Sequence, residues 1–368
     1  MKPMGMALVG IGPGAVPHLL SLNDLRAEVD LRWAITRRPE AAQMGPFQGH
    51  LQPSSDFQAM LGDPDVQAVI IATPAATHLE MAQACLTHGK HVLLEKPLDV
   101  SLARAKTIVD LAQQHQRQLG VVLQHRFRPG VERLQTLLDQ HGLGTVQAAS
   151  VSIPWWRPQS YYDQAGRGTL ARDGGGVLIT QAIHSLDVFR ALVGVRRVVA
   201  AQASRTRVHR METEDHVQAL LELGQGAPGR LMATTAHYPG GTECIEVIGT
   251  LGTAVLSGGD LRVNFINGDT PIEIKAEGGT GGGANIMDFP HDWHRDLIRD
   301  FVASIQQQRP SRTHGGEALQ THQLIDDLLA AAGPVINLLS LKDARSLRQK
   351  SAINCQGMTR NHGGARCA

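Results

Sequence analysis

Lys96 ends an apolar run, "HVLLEKPLDV" at 91–100, where a strand inside a sheet has little use for charge. Pro97 lacks an N–H for a sheet ladder and biases Lys96 toward extended geometry, so the lysine is expected on a stiff turn. An ammonium held there suits hydride chemistry. Oxidising an alcohol requires one group to take the hydroxyl proton and another to stabilise the charge developing on oxygen. Burial lowers a lysine's pKa and lets it share the first task as well. A plain salt bridge between Glu95 and Lys96 at a strand end fits the same residues. A second candidate, His184, stands in "DGGGVLITQAIHSLD" at 173–187. Three glycines there admit close approach of a ligand, and a helix after them places Thr180, Ile183, His184 and Asp187 on one face. Asp187 is one turn on, where it either orients the imidazole or is an ordinary helix-surface acid.

The first apolar run supplies a nucleotide candidate. In "VGIGPGAVPHL", Gly10, Ile11, Gly12, Pro13, Gly14 and Ala15 join a strand to a helix, where glycines allow the backbone to approach a pyrophosphate. Pro13 and Pro17 are unusual neighbours, and such turns also exist only for packing. The second strand ends "AITRRPE", offering Thr36, Arg37 and Arg38 where an acid would favour NAD. A hydroxyl followed by two guanidiniums suits a 2′-phosphate, so NADP is the expected cofactor, with NAD as the alternative. The same residues also read as a solvated basic turn. In "ATPAATHLEMA" (72–82), Ala72, Thr73 and Pro74 form a turn at the carboxyl edge of the sheet, with His78 at the following helix terminus.

These groups need a frame. Residues 6–12, 29–36, 66–73, 91–95 and 118–123 read as strands buried on both faces, alternating with helical periodicity. That grammar predicts a doubly wound, parallel Rossmann sheet over 1–124. From about 125 to 333 the pattern changes to period-two segments with helices near 129–141, 291–307 and 315–332. An open, mainly antiparallel sheet with helices on one face is expected, forming a substrate-binding and oligomerisation domain. "EGGTGGGAN" (277–285) reads as a mobile loop and 334–368 as a poorly ordered basic tail.

With a net charge of +1, nothing recommends nucleic acid or an anionic membrane as a partner. No signal-peptide pattern and no bilayer-spanning apolar stretch is read. Cys85, Cys244, Cys355 and Cys367 show no CxxC spacing and read as free thiols in a reducing, cytoplasmic setting. "FPHDWHRDLIRDF" contains HxxH at His291 and His294, but no nearby cysteine or carboxylate completes a metal set, so no metal is expected. His291 is placed at the border of the substrate pocket.

In order, "VGIGPGAVPH" (9–18), "ATPAATH" (72–78), "EKP" (95–97), "QHRFRP" (124–129) and "GGGVLITQAIHSLD" (174–187) resemble the Gfo/Idh/MocA oxidoreductases, relatives of glucose–fructose oxidoreductase and inositol dehydrogenase. The resemblance spans residues 6 to about 332. It implies that Glu95, Lys96 and Pro97 sit at the nicotinamide, that Lys96 hydrogen-bonds the reacting hydroxyl on a turn often made cis by Pro97, and that His184 acts as acid/base. Many members have Asp four residues before this histidine, whereas this chain has Thr180. Proton transfer then falls on Lys96 and His184, leaving Thr180 and Gln181 as substrate hydrogen-bonders.

Residues 152–176 concentrate Trp155, Trp156, Tyr161 and Tyr162 in a chain with 4% aromatics, interleaved with Arg157 and Gln159. Aromatic faces with polar groups suit sugars and cyclitols, although packing against the sheet explains part of the cluster. Arg126 and Arg128 contact substrate or cofactor, or else hold a domain interface. The expected function is hydride transfer between nicotinamide and a secondary alcohol of a polyhydroxylated ring. The alternatives are a cyclic dihydrodiol dehydrogenase, an enzyme that splits glycosidic bonds by transient oxidation, and a non-catalytic nucleotide sensor. A homodimer or homotetramer through the second sheet is expected.

Overall fold

The computed structural model describes residues 2–276 and 290–338. Five short apolar strands, β1 (Met4–Val9), β2 (Val29–Ile35), β3 (Ala68–Ile71), β4 (His91–Leu94) and β5 (Leu119–Val121), form a parallel sheet in the order β2-β1-β3-β4-β5. Every residue of β1, β3 and β5 is buried, as strands covered on both faces require. Helices α1 (Val16–Asp24), α2 (Phe57–Gly62), α3 (His78–Thr87) and α4 (Leu102–Gln114) make the crossovers. Ser101 and Asp56 cap α4 and α2 by accepting backbone N–H groups with their side chains.

The second half begins with α5 (Pro129–Asp139) and continues through β6 (Val146–Pro154), α6 (Gln159–Tyr162), α7 (Leu170–Asp173), a π-helical segment at Leu178–Ala182 and α8 (Ile183–Val193). Strands β7 (Val195–Arg205), β8 (His216–Leu223), β9 (Pro228–Thr234), β10 (Cys244–Gly249), β11 (Gly252–Ser257), β12 (Asp260–Phe265) and β13 (Ile272–Ile274) follow. Helices α9 (Asp292–Gln306) and α10 (Gly315–Ala332) and a short β14 (Ile336–Asn337) close the described chain. The nine-stranded sheet runs β13-β12-β11-β10-β6-β9-β8-β7-β14. It is antiparallel except at β6–β9 and β7–β14. In β8 the alternation is plain: Val217, Ala219, Leu221 and Leu223 are buried, while Gln218 and Leu220 face out.

Helix α9 returns to the first sheet. Its Trp293, Leu297, Ile298 and Phe301 join Leu19 and Leu22 of α1 and Met6 and Leu8 of β1 in one apolar cluster. The parallel sheet is thus closed on one face by a helix from the far end of the sequence. The larger cluster joins α3 and α4 to the second sheet through α8 and α10.

Two expectations change. Residues 334–338 are not a loose tail, because Ile336 and Asn337 pair with Ser204 and Arg205 of β7; residues 339–368, with Cys355 and Cys367, lie outside the described residues, as does the 277–285 loop. The segment Leu170–Val193 is apolar and long enough by composition to span a bilayer, but its most apolar stretch is 83% buried inside the fold. It is a core element here.

Gly10 explains why the first strand can turn where it does. It has φ +97°, and a Cβ there would sit 2.6 Å from the carbonyl oxygen of Ala72. Gly10→Ala is expected to lower stability by roughly 1–3 kcal/mol, the scale of a residue forced into a sparsely populated conformation. Chemical denaturation checks this; a variant as stable as the wild type contradicts it.

Candidate active site

The carboxyl edge of the parallel sheet brings the sequence candidates together. Beyond β1, Gly12 and Gly14 face open space, since a Cβ at either would meet nothing within 4 Å. That open cradle sits before the N-terminus of α1, which suits the pyrophosphate of a dinucleotide. Pro13 and Ala15 form a single 3-10 turn leading into α1, and Ile11 packs beside the apolar cluster beneath it. Beyond β2, Thr36 is fixed by its N–H donating to the Ser54 carbonyl at 2.9 Å. Arg37 and Arg38 are exposed, and neither pairs with a carboxylate among the described residues. Beyond β3, the Thr73 hydroxyl accepts from Thr77 at 2.8 Å, with Pro74 and Ala72 at the same edge.

His78 does not face this cradle. It is fully buried, with one ring nitrogen 2.9 Å from the Pro97 carbonyl and the other 2.9 Å from the Thr73 carbonyl. It joins the turns after β3 and β4 and is a positioning residue for Lys96.

Lys96 makes no salt bridge with Glu95, which removes the simplest rival account of the EKP turn. Its Nζ donates to the Thr180 carbonyl at 2.8 Å, and its peptide bond to Pro97 is cis. Glu95 turns the other way and accepts from His18 Nε2 at 2.7 Å. Burial opposes the Glu95 charge, yet the His18 hydrogen bond and charge hold its carboxyl below the usual range. Burial pushes the Lys96 ammonium below the usual lysine value; Glu95 opposes this, while Arg157 and Arg167 add to it. The arrangement favours a lysine that gives up its proton more readily than an ordinary one.

Thr180 belongs to the π-helical segment, and its contribution differs from expectation. Its carbonyl meets Lys96, while its hydroxyl lies 2.6 Å from the Gly176 carbonyl and against the Gln181 amide oxygen. The hydroxyl proton is therefore engaged inside the segment rather than offered to a substrate. The turn before it is held by Glu214, whose carboxylate accepts from Gly176 N at 3.0 Å and Leu178 N at 3.3 Å. A Cβ on Gly176 would lie 1.8 Å from the Glu214 carbonyl oxygen, which is why glycine stands there. Burial pushes the Glu214 carboxyl up to about 7.

His184 is buried, and its Nδ1 has no hydrogen-bond partner. Its ring lies over His125 at 4.7 Å between centroids. Burial first, then the Lys96 charge, pushes the His184 pKa well below 6.5, and His125 moves the same way for want of solvation. His184 is thus neutral at ordinary pH, so a limb in the activity profile near 6.5 does not belong to it. Asp187 does not orient this imidazole. It accepts a bidentate pair from Arg126 at 2.6 and 2.7 Å and a hydrogen bond from Thr321 at 2.8 Å. Arg126 also reaches Glu317 at 3.1 Å, which places it in the joint between α8 and α10 rather than on substrate. Arg128 is likewise buried, against Glu243 at 2.8 Å.

The aromatic loop divides. Trp155 is buried with its N–H toward Glu243, and Tyr162 is buried on Thr235 at 2.8 Å, so both are packing residues. Trp156 packs edge-on against Tyr238 at 5.2 Å, and Gln159 pins the backbone of Arg210. Arg157 is buried on the Trp156 carbonyl, 5.5 Å over Trp155. Tyr161 stays half-exposed and accepts from Gln181 at 3.3 Å and Arg167 at 2.5 Å. Arg167 escaped the sequence reading because it sits in a glycine-flanked loop without periodicity; its signal is the pairing with Tyr161.

His291 is not a pocket residue: its Nε2 pairs with Asp24 at 2.9 Å, at the end of α1 away from the glycine turn. The HxxH pair splits, and His294 instead approaches His18 and Glu95, their ligand atoms within 4.8 Å of one another. A carboxylate does therefore accompany this histidine, contrary to expectation. The 2.7 Å from His18 to Glu95 is a hydrogen bond, shorter than the about 3.3 Å between donors of a tetrahedral site with ~2.0 Å bonds.

Residues 4–123 match the oxidoreductase family with an NAD-binding Rossmann fold, and residues 131–255 match the GFO/IDH/MocA C-terminal domain. The chain belongs to the GFO/IDH/MocA oxidoreductases. It is 28% identical to scyllo-inositol 2-dehydrogenase (NAD(+)) of Bacillus subtilis over 218 residues, 57% of this chain and 60% of that protein. It is 32% identical over 190 residues to 1-carboxy-3-chloro-3,4-dihydroxycyclohexa-1,5-diene dehydrogenase of Comamonas testosteroni, 50% of this chain and 46% of that protein. Among solved structures it is similar to the WlbA dehydrogenase of Bordetella pertussis in complex with NADH and UDP-GlcNAcA, with TM-score 0.76 and 27% identity over 90% of this chain and 97% of that one. The protein is a nicotinamide-dependent oxidoreductase.

The buried imidazoles give a stability prediction. His125, His184 and His294, the last pushed down to about 3, stay neutral in the fold, whereas an unfolded histidine takes a proton near 6.5. Below that pH the unfolded state binds more protons, so this part of the stability is present above about 6.5 and is lost as pH falls. Each such group costs about 2 kcal/mol at pH 5. Thermal unfolding of wild type and His184→Gln from pH 7 to 5 checks it. The wild type should lose more stability than the variant, and parallel curves would contradict a neutral, buried His184.

Proposed function

We propose that the protein oxidises a secondary alcohol of a sugar, cyclitol or similar polyhydroxylated ring, with Lys96 as the group that takes the hydroxyl proton. The observation that carries this is the direction of Lys96: free of Glu95, half-buried, and held by the Thr180 carbonyl on the side of His184. The bound nucleotide supplies the hydride acceptor. Lys96, neutral, accepts the hydroxyl proton as the carbonyl forms, and the buried Nδ1 of His184 donates to or accepts from the same oxygen. Tyr161 and Gln181 line the substrate side. Retention of both Lys96 and His184 speaks against a pure sensor, which has no need of proton-transfer groups.

A ring diol is a second reading, favoured by the Comamonas relative, whose name describes a dihydroxycyclohexadiene substrate. For the cofactor we infer a preference for NADP over NAD. Thr36, Arg37 and Arg38 stand at the end of β2, and both guanidiniums are exposed and without a carboxylate partner among the described residues. Leu220, Val199 and Ile248, exposed on the open face of the nine-stranded sheet, support assembly into a dimer or tetramer through that face. The free thiols Cys85 and Cys244 suit a reducing compartment such as the cytoplasm.

Lys96→Ala should lower kcat at least a hundredfold while the cofactor dissociation constant changes by no more than a few-fold, the scale of general acid–base catalysis. Steady-state kinetics with sugars, inositols and cyclic diols, alongside cofactor titration, decides it; near-normal turnover in a folded variant rules out the role. Arg37→Ala should weaken NADP by about 1.5–3 kcal/mol with little effect on NAD, the range for a hydrogen bond to a charged group. Calorimetric titration that finds equal affinities in the wild type would reject the preference.

A further inference from the structure

We propose that Glu214, as the carboxylate, is a positioning residue for Lys96: it holds the turn that sets the Thr180 carbonyl against the lysine, and the hold slackens when the carboxylate takes a proton. This rests on the reading of Lys96 given above and adds a control on the same site.

Three consecutive amides end on this one residue. Gly176 N and Leu178 N donate to the carboxylate at 3.0 and 3.3 Å, and Val177 N, between them, donates to the Glu214 carbonyl at 2.9 Å. These amides open the helical run that continues through Leu178–Ala182 into α8, where the first N–H groups have no acceptor within the helix. The hold passes on in two steps. The Gly176 carbonyl accepts from the Thr180 N–H at 3.2 Å and from the Thr180 hydroxyl at 2.6 Å, and the Thr180 carbonyl accepts from Lys96 Nζ at 2.8 Å. Glu214 is buried, and a Cβ on Gly176 would lie 2.6 Å from its Oε2, so carboxylate and turn meet without room between them.

An ionised carboxylate offers an acceptor to both N–H groups. A protonated one carries an O–H on one oxygen, and that donor then faces an N–H donor, so one of the two bonds is lost. Burial raises the Glu214 pKa to about 7, the Leu178 and Gly176 N–H groups oppose the rise, and Asp215 adds to it. The complete hold therefore belongs to pH above about 7, and one bond is given up below it. The other ionisable groups on the elements packed here have partners of their own. Asp215 is closed on Thr206 and His209, the Glu212 carboxylate accepts from Leu170 N, and Asp173 accepts from Gly168 N and faces Arg172. Lys96 stands one relay away, beyond Gly176 and Thr180, so the charge of Glu214 rests on N–H groups rather than on a cation.

The test reads hydrogen exchange in the full chain by mass spectrometry, on peptides covering residues 174–184, for wild type, Glu214→Gln and Glu214→Asp at pH 8.5 and 5.5. Glutamine stands in for the protonated carboxyl, with one acceptor oxygen and one donor. At pH 8.5 the Gln variant should exchange this segment roughly ten- to hundredfold faster than wild type, the scale of a lost hydrogen bond to a charged group, and at pH 5.5 the two should exchange alike. Glu214→Asp, which keeps the charge, should recover part of the protection at pH 8.5. Wild-type protection, corrected for intrinsic exchange, should fall between pH 8.5 and 5.5, which decides the matter where a variant does not fold. Cofactor reduction with scyllo-inositol, D-glucose and cis-1,2-cyclohexanediol should show the same ratio of wild type to Gln variant, large at pH 8.5 and near one at pH 5.5, because the titration of Lys96 cancels in it. Equal exchange at both pH values, a ratio that does not change with pH, or a Gln variant that turns over like wild type at pH 8.5 overturns the proposal. Any of these with Lys96→Ala still inactive overturns it and leaves the alcohol-oxidation reading standing. The expected exchange ratios with no turnover of any alcohol by the wild type support the hold and count against that reading.

Discussion

One hydrogen bond, from Lys96 Nζ to the Thr180 carbonyl, ties the edge of the parallel sheet to the segment that carries His184. Everything that could act on an alcohol here is placed through it. The lysine comes from the turn after β4, and the carbonyl from the π-helical segment Leu178–Ala182 that leads into α8. Each side is braced separately: His78 clamps the turn by two carbonyls, and Glu214 holds the glycine turn by two N–H groups. The side chains that meet are short of freedom, as preorganised catalysis requires.

Burial sets the protonation states around that bond. Lys96 and His184 are both driven toward their neutral forms, while Glu95 is kept charged by His18 on the opposite side. A carboxylate turned away from the lysine still opposes the lysine's loss of charge without blocking its Nζ. Elsewhere in the joint between α8 and α10, buried charges are closed on themselves: Asp187 with Arg126 and Thr321, Glu317 with Arg190. Removing one partner of such a set leaves an uncompensated buried charge, so these residues hold α8 against α10 rather than touch substrate.

The Rossmann half was legible because β1, β3, β4 and β5 are continuous apolar runs, and each crossover helix keeps its period; β2, expected to be buried on both faces, is instead an edge strand with Asp30 exposed and Arg32 half-buried. The EKP, TP and three-glycine turns were legible because glycine and proline mark where the backbone must bend. What could not be read was which partner each polar side chain takes. Asp187 is one turn from His184 but meets Arg126, and His291 is near His294 in sequence but meets Asp24, because long-range packing of α9 and α10 decides both. Arg167 carried no periodic or motif signal and became visible only through its stacking on Tyr161. Thr180 was chosen for its hydroxyl, yet its carbonyl makes the contact, a distinction that side-chain identity does not contain.

The most direct test of Lys96 as the proton acceptor is chemical rescue. In Lys96→Ala, single-turnover cofactor reduction would be measured with increasing concentrations of small primary amines such as methylamine and ethylamine. The account predicts a rate that rises with the concentration of neutral amine, because a base delivered to the vacated position restores proton transfer. A rate that stays flat across the amine series in a folded variant that binds cofactor normally would contradict it.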